Sequence, residues 1–142
     1  MKILILQGPN LNLLGLKSKD AGTTLTLDKL NKKIRHLCVK NDTEIKIFQT
    51  HKQFQAINFL QRNRTKYNAL LIIPTSWARY DWTIAETVSL INLPTAVIFF
   101  DSPYSFGTSI NKSIFSGKNI KSFNGQPADA CAEGLAYLMK SA

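Results

Sequence analysis

Residues 1–15 read MKILILQGPNLNLLG, and this stretch decides the fold. Lys2 to Leu6 is a dominantly apolar run too short for a helix, and Gly8-Pro9-Asn10 halts it abruptly. That is the pattern of a parallel strand buried on both faces and emptying into a loop. In open α/β sheets ligands lie at the carboxyl ends of the strands, so the turn that begins at Gly8 marks the expected site. Pro9 fixes φ, Gly8 permits a close turn, and Asn10 and Asn12 offer uncharged amide donors and acceptors. Asparagine in a turn also bonds its own backbone, which is the structural alternative for both.

The rest of the chain repeats the same alternation. Leu16–Thr24 (LKSKDAGTT) is polar and reads as a mobile loop. Thr26 or Asp28 can cap a helix over Leu27–Lys40, with Leu27, Leu30, Ile34, Leu37 and Cys38 on one face and Lys29, Lys32, Lys33 and Arg35 toward water. Thr43–Gln49 alternates in polarity and reads as a strand near the sheet edge. A helix over Phe54–Arg64 follows, its turns marked by Phe54, Ile57, Asn58 and Leu60, with Thr50 and His51 as capping residues. Ala69–Ile73 is wholly apolar and stops at Pro74; Thr75–Asp81 reads as a loop, and Trp82–Leu90 as a helix. Thr95–Phe100 is a fourth strand that opens into Asp101–Gly107. A short helix is expected over Thr108–Phe115, a fifth strand over Ile120–Phe123 and a closing helix over Ala128–Lys140. Together these predict one domain over residues 1–142, a doubly wound parallel sheet of five strands with helices on both faces, flavodoxin-like if every crossover is right-handed.

The totals narrow the class. Apolar residues make up 44% of the 142 and charged residues 19%, which suits a globular chain and argues against disorder. Cys38 and Cys131 lie far apart without metal-ligand spacing and read as reduced, buried thiols; no metal site is expected. No apolar run approaches a membrane span, so a cytoplasmic protein with no membrane partner is expected. The formal charge of +9, from 18 Lys and Arg against 9 Asp and Glu, favours an anionic ligand. Nucleic acid is a weaker reading, because the cations fall on solvent faces of helices without interleaved aromatics.

The motif GPNLNLLG at Gly8–Gly15 resembles the signature of type II 3-dehydroquinate dehydratases, and so do TLDKLNKKI from Thr26, IFQT from Ile47 and LLIIP from Leu70. The resemblance implies a flavodoxin-like fold, no cofactor, and homo-oligomers built as trimers grouped into a dodecamer. It implies a tyrosine on the mobile loop as general base, activated by an arginine, and a histidine after the fourth strand as general acid. An asparagine in the first turn steadies the enolate through water. Asn10 matches that asparagine. The tyrosine position falls on Ala21 or Gly22 and the arginine on Lys17. After the third strand a pattern like NPGAxTH is replaced by IPTSWAR, so the asparagine becomes Ile73 and the histidine Arg79. After the fourth strand HLSN is replaced by Phe99, Phe100, Asp101 and Ser102, and a later arginine falls near Ile110.

Loss of a general acid or base removes roughly 10²- to 10⁴-fold in rate each, so losing both leaves a scaffold without the dehydratase chemistry. The expectation is a pocket lined by Asn10, Trp77, Arg79, Tyr80, Phe99, Asp101 and Tyr104, with Asn12, Lys17 and Ser102 as further ligand contacts, holding an altered and anionic small ligand. The alternative is an active dehydratase with a rearranged site. Tyr80 or Tyr104 would then serve as base, with Arg79 near in sequence.

Overall fold

The computed structural model describes residues 1–141. Among them five strands form one parallel sheet in the order β2-β1-β3-β4-β5. The strands are β1 (Lys2–Gln7), β2 (Glu44–Gln49), β3 (Ala69–Ile73), β4 (Thr95–Phe100) and β5 (Ile120–Gly125). This is the flavodoxin-like doubly wound arrangement expected from the alternation of strand and helix.

Burial explains which strand lies where. Residues Ile3–Gln7 and all of β3 and β4 are buried, and these three strands occupy the middle of the sheet. β2 has exposed and half-buried residues only and lies at an edge. Successive side chains take opposite faces. Ile3, Ile5, Leu71, Ile73 and Ile98 thus meet α2 (Leu27–Lys40) and α6 (Pro127–Lys140) on one side, through Leu30, Ile34, Leu135 and Leu138. Leu4, Leu6, Leu70, Ile72, Val97 and Phe99 meet α3 (Gln53–Asn63) and α5 (Trp82–Ile91) on the other, through Leu60, Ile84 and Val88. Thr26 caps α2, its hydroxyl accepting from the Lys29 N–H at 3.3 Å.

Five expectations need correction. Leu16–Thr24 is not a loop throughout: a 3₁₀ turn at Leu11–Leu13 runs into a helix, α1, over Leu14–Asp20. Leu14 and Ser18 are buried one helical turn apart, an inward stripe too narrow to read from composition. Trp77–Tyr80 makes a one-turn helix, α4, where a loop was expected, and Thr108–Phe115 contains only a 3₁₀ turn at Ile110–Lys112. In α3 the cap is Lys52, and the Thr50 hydroxyl accepts from the Lys52 N–H at 3.0 Å. Its inward face is Ala56, Phe59, Leu60 and Asn63, whereas Phe54 is 60% exposed.

Candidate functional site

The carboxyl ends of β1 and β3 are tied together before any ligand is considered. The Gly8 N–H donates to the Ile73 carbonyl at 2.8 Å, and the Thr75 hydroxyl donates to the Pro9 carbonyl at 2.8 Å. The approach is so close that a Cβ on Gly8 would lie 2.4 Å from the Pro74 oxygen, so only glycine fits. Asn10 then adopts the left-handed conformation at φ 68°, which asparagine tolerates better than most residues. Its N–H donates to Nδ1 of His51 at 3.2 Å. With Nδ1 accepting, the neutral imidazole carries its proton on Nε2.

A cleft of about 390 Å³ opens beside this turn, within the size range of small-molecule sites. Pro9, Asn10, Leu13 and Leu16 line one part of it, Lys17 stands on α1, and Ser76, Phe106 and Gly107 complete it. The Lys17 Nζ lies 4.8 Å from the centroid of the Phe106 ring. The α1 wall is held from the far side by a chain of hydroxyls. The Tyr104 hydroxyl bonds Thr23 Oγ1 at 2.7 Å, Thr23 Oγ1 bonds the wholly buried Ser18 Oγ, and Ser18 Oγ accepts from the Leu25 N–H at 2.6 Å.

The cleft gathers only part of the expected site. Asn10 and Lys17 line it; Asn12 is exposed on the 3₁₀ turn and does not. Trp77 is 1% exposed and packs in the core against the β1 and β3 side chains, because the turn of α4 points its indole inward. Arg79 and Tyr80, on the same short helix, face outward; Arg79 approaches the Gly107 carbonyl at 3.4 Å. Asp101 is exposed and its carboxylate accepts from the Asn124 side chain at 2.8 Å, away from the cleft walls. Ser102 is exposed and precedes a cis peptide bond to Pro103. Tyr104 is 7% exposed and committed to Thr23. Phe99 is 4% exposed in the core, and Ala21 ends α1.

Sequence reasoning missed six contributors, Ser76 and Gly107 on the cleft walls among them. His51, read as a capping residue, reaches Asn10 only because β2 pairs with β1 in register, Gln7 opposite Gln49. Leu13 stands in the motif and Leu16 just beyond it, and they were readable as a pair three residues apart. Phe106 comes from the loop after β4, and nothing local marks it.

Neither cysteine belongs to the cleft. Burial pushes the Cys38 thiol up to about 11 and the Cys131 thiol up to about 12, so both are held as inert thiols. Among the described residues no three His, Cys, Asp or Glu side chains come together as a metal site, and no helix is long and apolar enough to cross a membrane.

The sequence matches the model of class II dehydroquinases over residues 1–139, nearly the whole chain. The chain belongs to the class II dehydroquinase family. The 3-dehydroquinate dehydratase of Clostridium botulinum (strain 657 / Type Ba4) is 29% identical over 123 residues, covering 87% of this chain and 84% of that protein. The 3-dehydroquinate dehydratase of Pelotomaculum thermopropionicum is 30% identical over 105 residues, covering 74% and 73%. A type II dehydroquinase from Butyrivibrio crossotus DSM 2876 superposes with a TM-score of 0.84 at 19% identity, over 98% of this chain and 97% of the other. At that identity the likeness shows the fold. The dehydroquinase scaffold is therefore intact, while its strand ends carry Ile73, Phe99 and Asp101.

Proposed function

We propose that this chain is a dehydroquinase-family protein that has lost the dehydratase chemistry and uses the cleft beside Asn10 to hold a small anion. One observation carries the reading. The titratable side chain on the cleft walls, among the described residues, is Lys17, and neither a phenol nor an imidazole lines them. Phe99, at the position the resemblance gives to the general acid, is a core residue. Ala21 and Gly22, at the position of the base, carry no group that can take a proton. Lys17 supplies the charge for an anion and Asn10 a neutral donor.

The test is a direct assay with 3-dehydroquinate, following the absorbance of the conjugated product. Background rates at high protein concentration support the reading, and turnover comparable to that of ordinary dehydroquinases would refute it.

A second reading is an active dehydratase with a relocated base. Tyr104 is the phenol joined through Thr23 and Ser18 to the cleft's α1 wall, whereas Tyr80 is 60% exposed and makes no such contact; to act as that base Tyr104 has to turn from Thr23 into the cleft. Loss of measurable turnover in Tyr104→Phe would support it. The homo-oligomer implied by the resemblance belongs to the same proposal, and the exposed Phe54, Tyr80 and Trp82 side chains support it. Light scattering that gives a monomer mass in solution would remove it.

A further inference from the structure

We infer that the cleft beside the first turn takes a flat, largely apolar carboxylate, with aromatic monocarboxylates as the ligand class. This rests on the preceding reading that the chain no longer processes 3-dehydroquinate, and it names what replaces that substrate. The walls are the first reason. Pro9, Leu13, Leu16 and Phe106 present hydrocarbon to the cleft, and Leu13 and Leu16 remain 44% and 60% exposed. Apolar surface left open at the mouth of a concave site is covered favourably by an apolar ligand face.

The charge is the second reason. Lys17 is the cation of the cleft, and no carboxylate stands on its walls. The ion pair found among the described residues is Lys2 with Glu44, so Lys17 is not neutralised from within the fold. Its ammonium lies 4.8 Å from the Phe106 centroid, and a carboxylate paired with it brings the attached ring against Phe106 and the leucines. Aromatic pairs in offset or edge-to-face contact reward that placement.

The scarcity of hydrogen-bonding groups is the third reason, and it sets the discrimination. Asn10 and Ser76 are the polar uncharged side chains on the walls, while Ile73 and Phe99, at 2% and 4% exposure, lie behind Phe106 around a separate small cavity and do not line the cleft. A ring bearing several hydroxyls would lose water there without finding partners, whereas a ring bearing none loses nothing. The walls are also preset. Ser18, Thr23 and Tyr104 fix α1 from behind, so Leu16 and Lys17 are positioned before a ligand arrives.

Calorimetric titration of the full chain with cinnamate, its neutral amide cinnamamide, and 3-dehydroquinate tests the inference. Cinnamate is expected to bind at least about tenfold more tightly than cinnamamide, and Lys17→Gln to weaken cinnamate by about tenfold while leaving cinnamamide unchanged, the usual size of a lost charge-assisted contact. Phe106→Ala is expected to weaken both. Absence of saturation by millimolar cinnamate, equal cinnamate affinity in Lys17→Gln with an unchanged circular dichroism spectrum, or tighter binding of 3-dehydroquinate than of cinnamate would each overturn it. Turnover of 3-dehydroquinate would instead defeat the loss of chemistry, so the two failures are told apart.

Discussion

Removing the Tyr104 hydroxyl should loosen α1 without unfolding the protein. The ring of Tyr104 is 7% exposed and joins the core formed by Ile5, Leu14 and Leu30, so Tyr104→Phe keeps the apolar burial and deletes only the bond to Thr23 Oγ1. Thr23 keeps Ser18 as a partner, so no buried oxygen is orphaned and the cost is that of one net hydrogen bond, about 0.5–1.5 kcal/mol. For a domain of this size that is a fall in Tm of about 3–5 °C per kcal/mol. Tyr104→Ala also empties the ring's space and should cost about 3–5 kcal/mol. The assay is thermal unfolding combined with amide exchange at Thr23 and Leu25, whose N–H groups donate to the Ser18 carbonyl and hydroxyl. In Tyr104→Phe those two amides should exchange faster while the amides of β3 stay protected. Equal losses for the Phe and Ala variants, or unaltered exchange at Thr23 and Leu25, would refute the idea that the phenol fastens α1.

Three other perturbations have defined signs. Gly8→Ala puts a methyl 2.4 Å from the Pro74 oxygen, a backbone atom that cannot swing away, and should cost about 1–3 kcal/mol or more and displace the Thr75–Pro9 bond, visible as amide shifts around Asn10. Gln7 is wholly buried, donates to Asn31 Oδ1 at 2.7 Å and leaves its own Oε1 without a partner, so Asn31→Leu should cost about 1–3 kcal/mol, and Gln7→Leu added to it should recover part of that in a double-mutant cycle. For the thiols, the folded state keeps its protons above the ordinary value of 9.0, so their contribution is complete below pH 9 and is lost as pH rises through about 11. Urea titrations at pH 8 and 10 should show a drop of about 1 kcal/mol per thiol, absent when both cysteines are alanine.

The central strands could be read in the sequence because β1, β3 and β4 are apolar on both faces, and only a two-sided parallel sheet satisfies such runs. The helix α2 was equally plain from its stripe of Leu30, Ile34 and Cys38. The helix α1 was not: LGLKSKD has two inward residues, Leu14 and Ser18, and the bonds that steady it come from Tyr104, 81 positions beyond Thr23. The site divides the same way. Asn10 and Lys17 lie inside or next to a local motif, whereas His51 and Phe106 arrive from other strands' ends through the sheet order. Trp77 was expected to line the pocket, but a single helical turn at α4 decides its direction, and one turn has too short a period to detect.

The sheet accommodates Ile73 and Phe99 at its strand ends because apolar side chains there agree with the core, and the same fact makes a polar side chain costly at either position. Phe99 packs with Leu6, Ile72, Val97 and Phe115 at 4% exposure. Placing an imidazole there by Phe99→His would exchange hydrocarbon contacts for a polar ring with no partner within that cluster, at a cost of about 2–4 kcal/mol. Burial disfavours the charged ring, so the unfolded chain would bind the extra proton first, and the loss should deepen as pH falls below about 6.5. Denaturant unfolding at pH 5.5 and 8 measures both quantities, and on the proposed loss of chemistry 3-dehydroquinate turnover in the same variant should stay at background. A variant as stable as the parent at both pH values would mean that the β4 end opens to water, and Phe99 would then belong to the site after all.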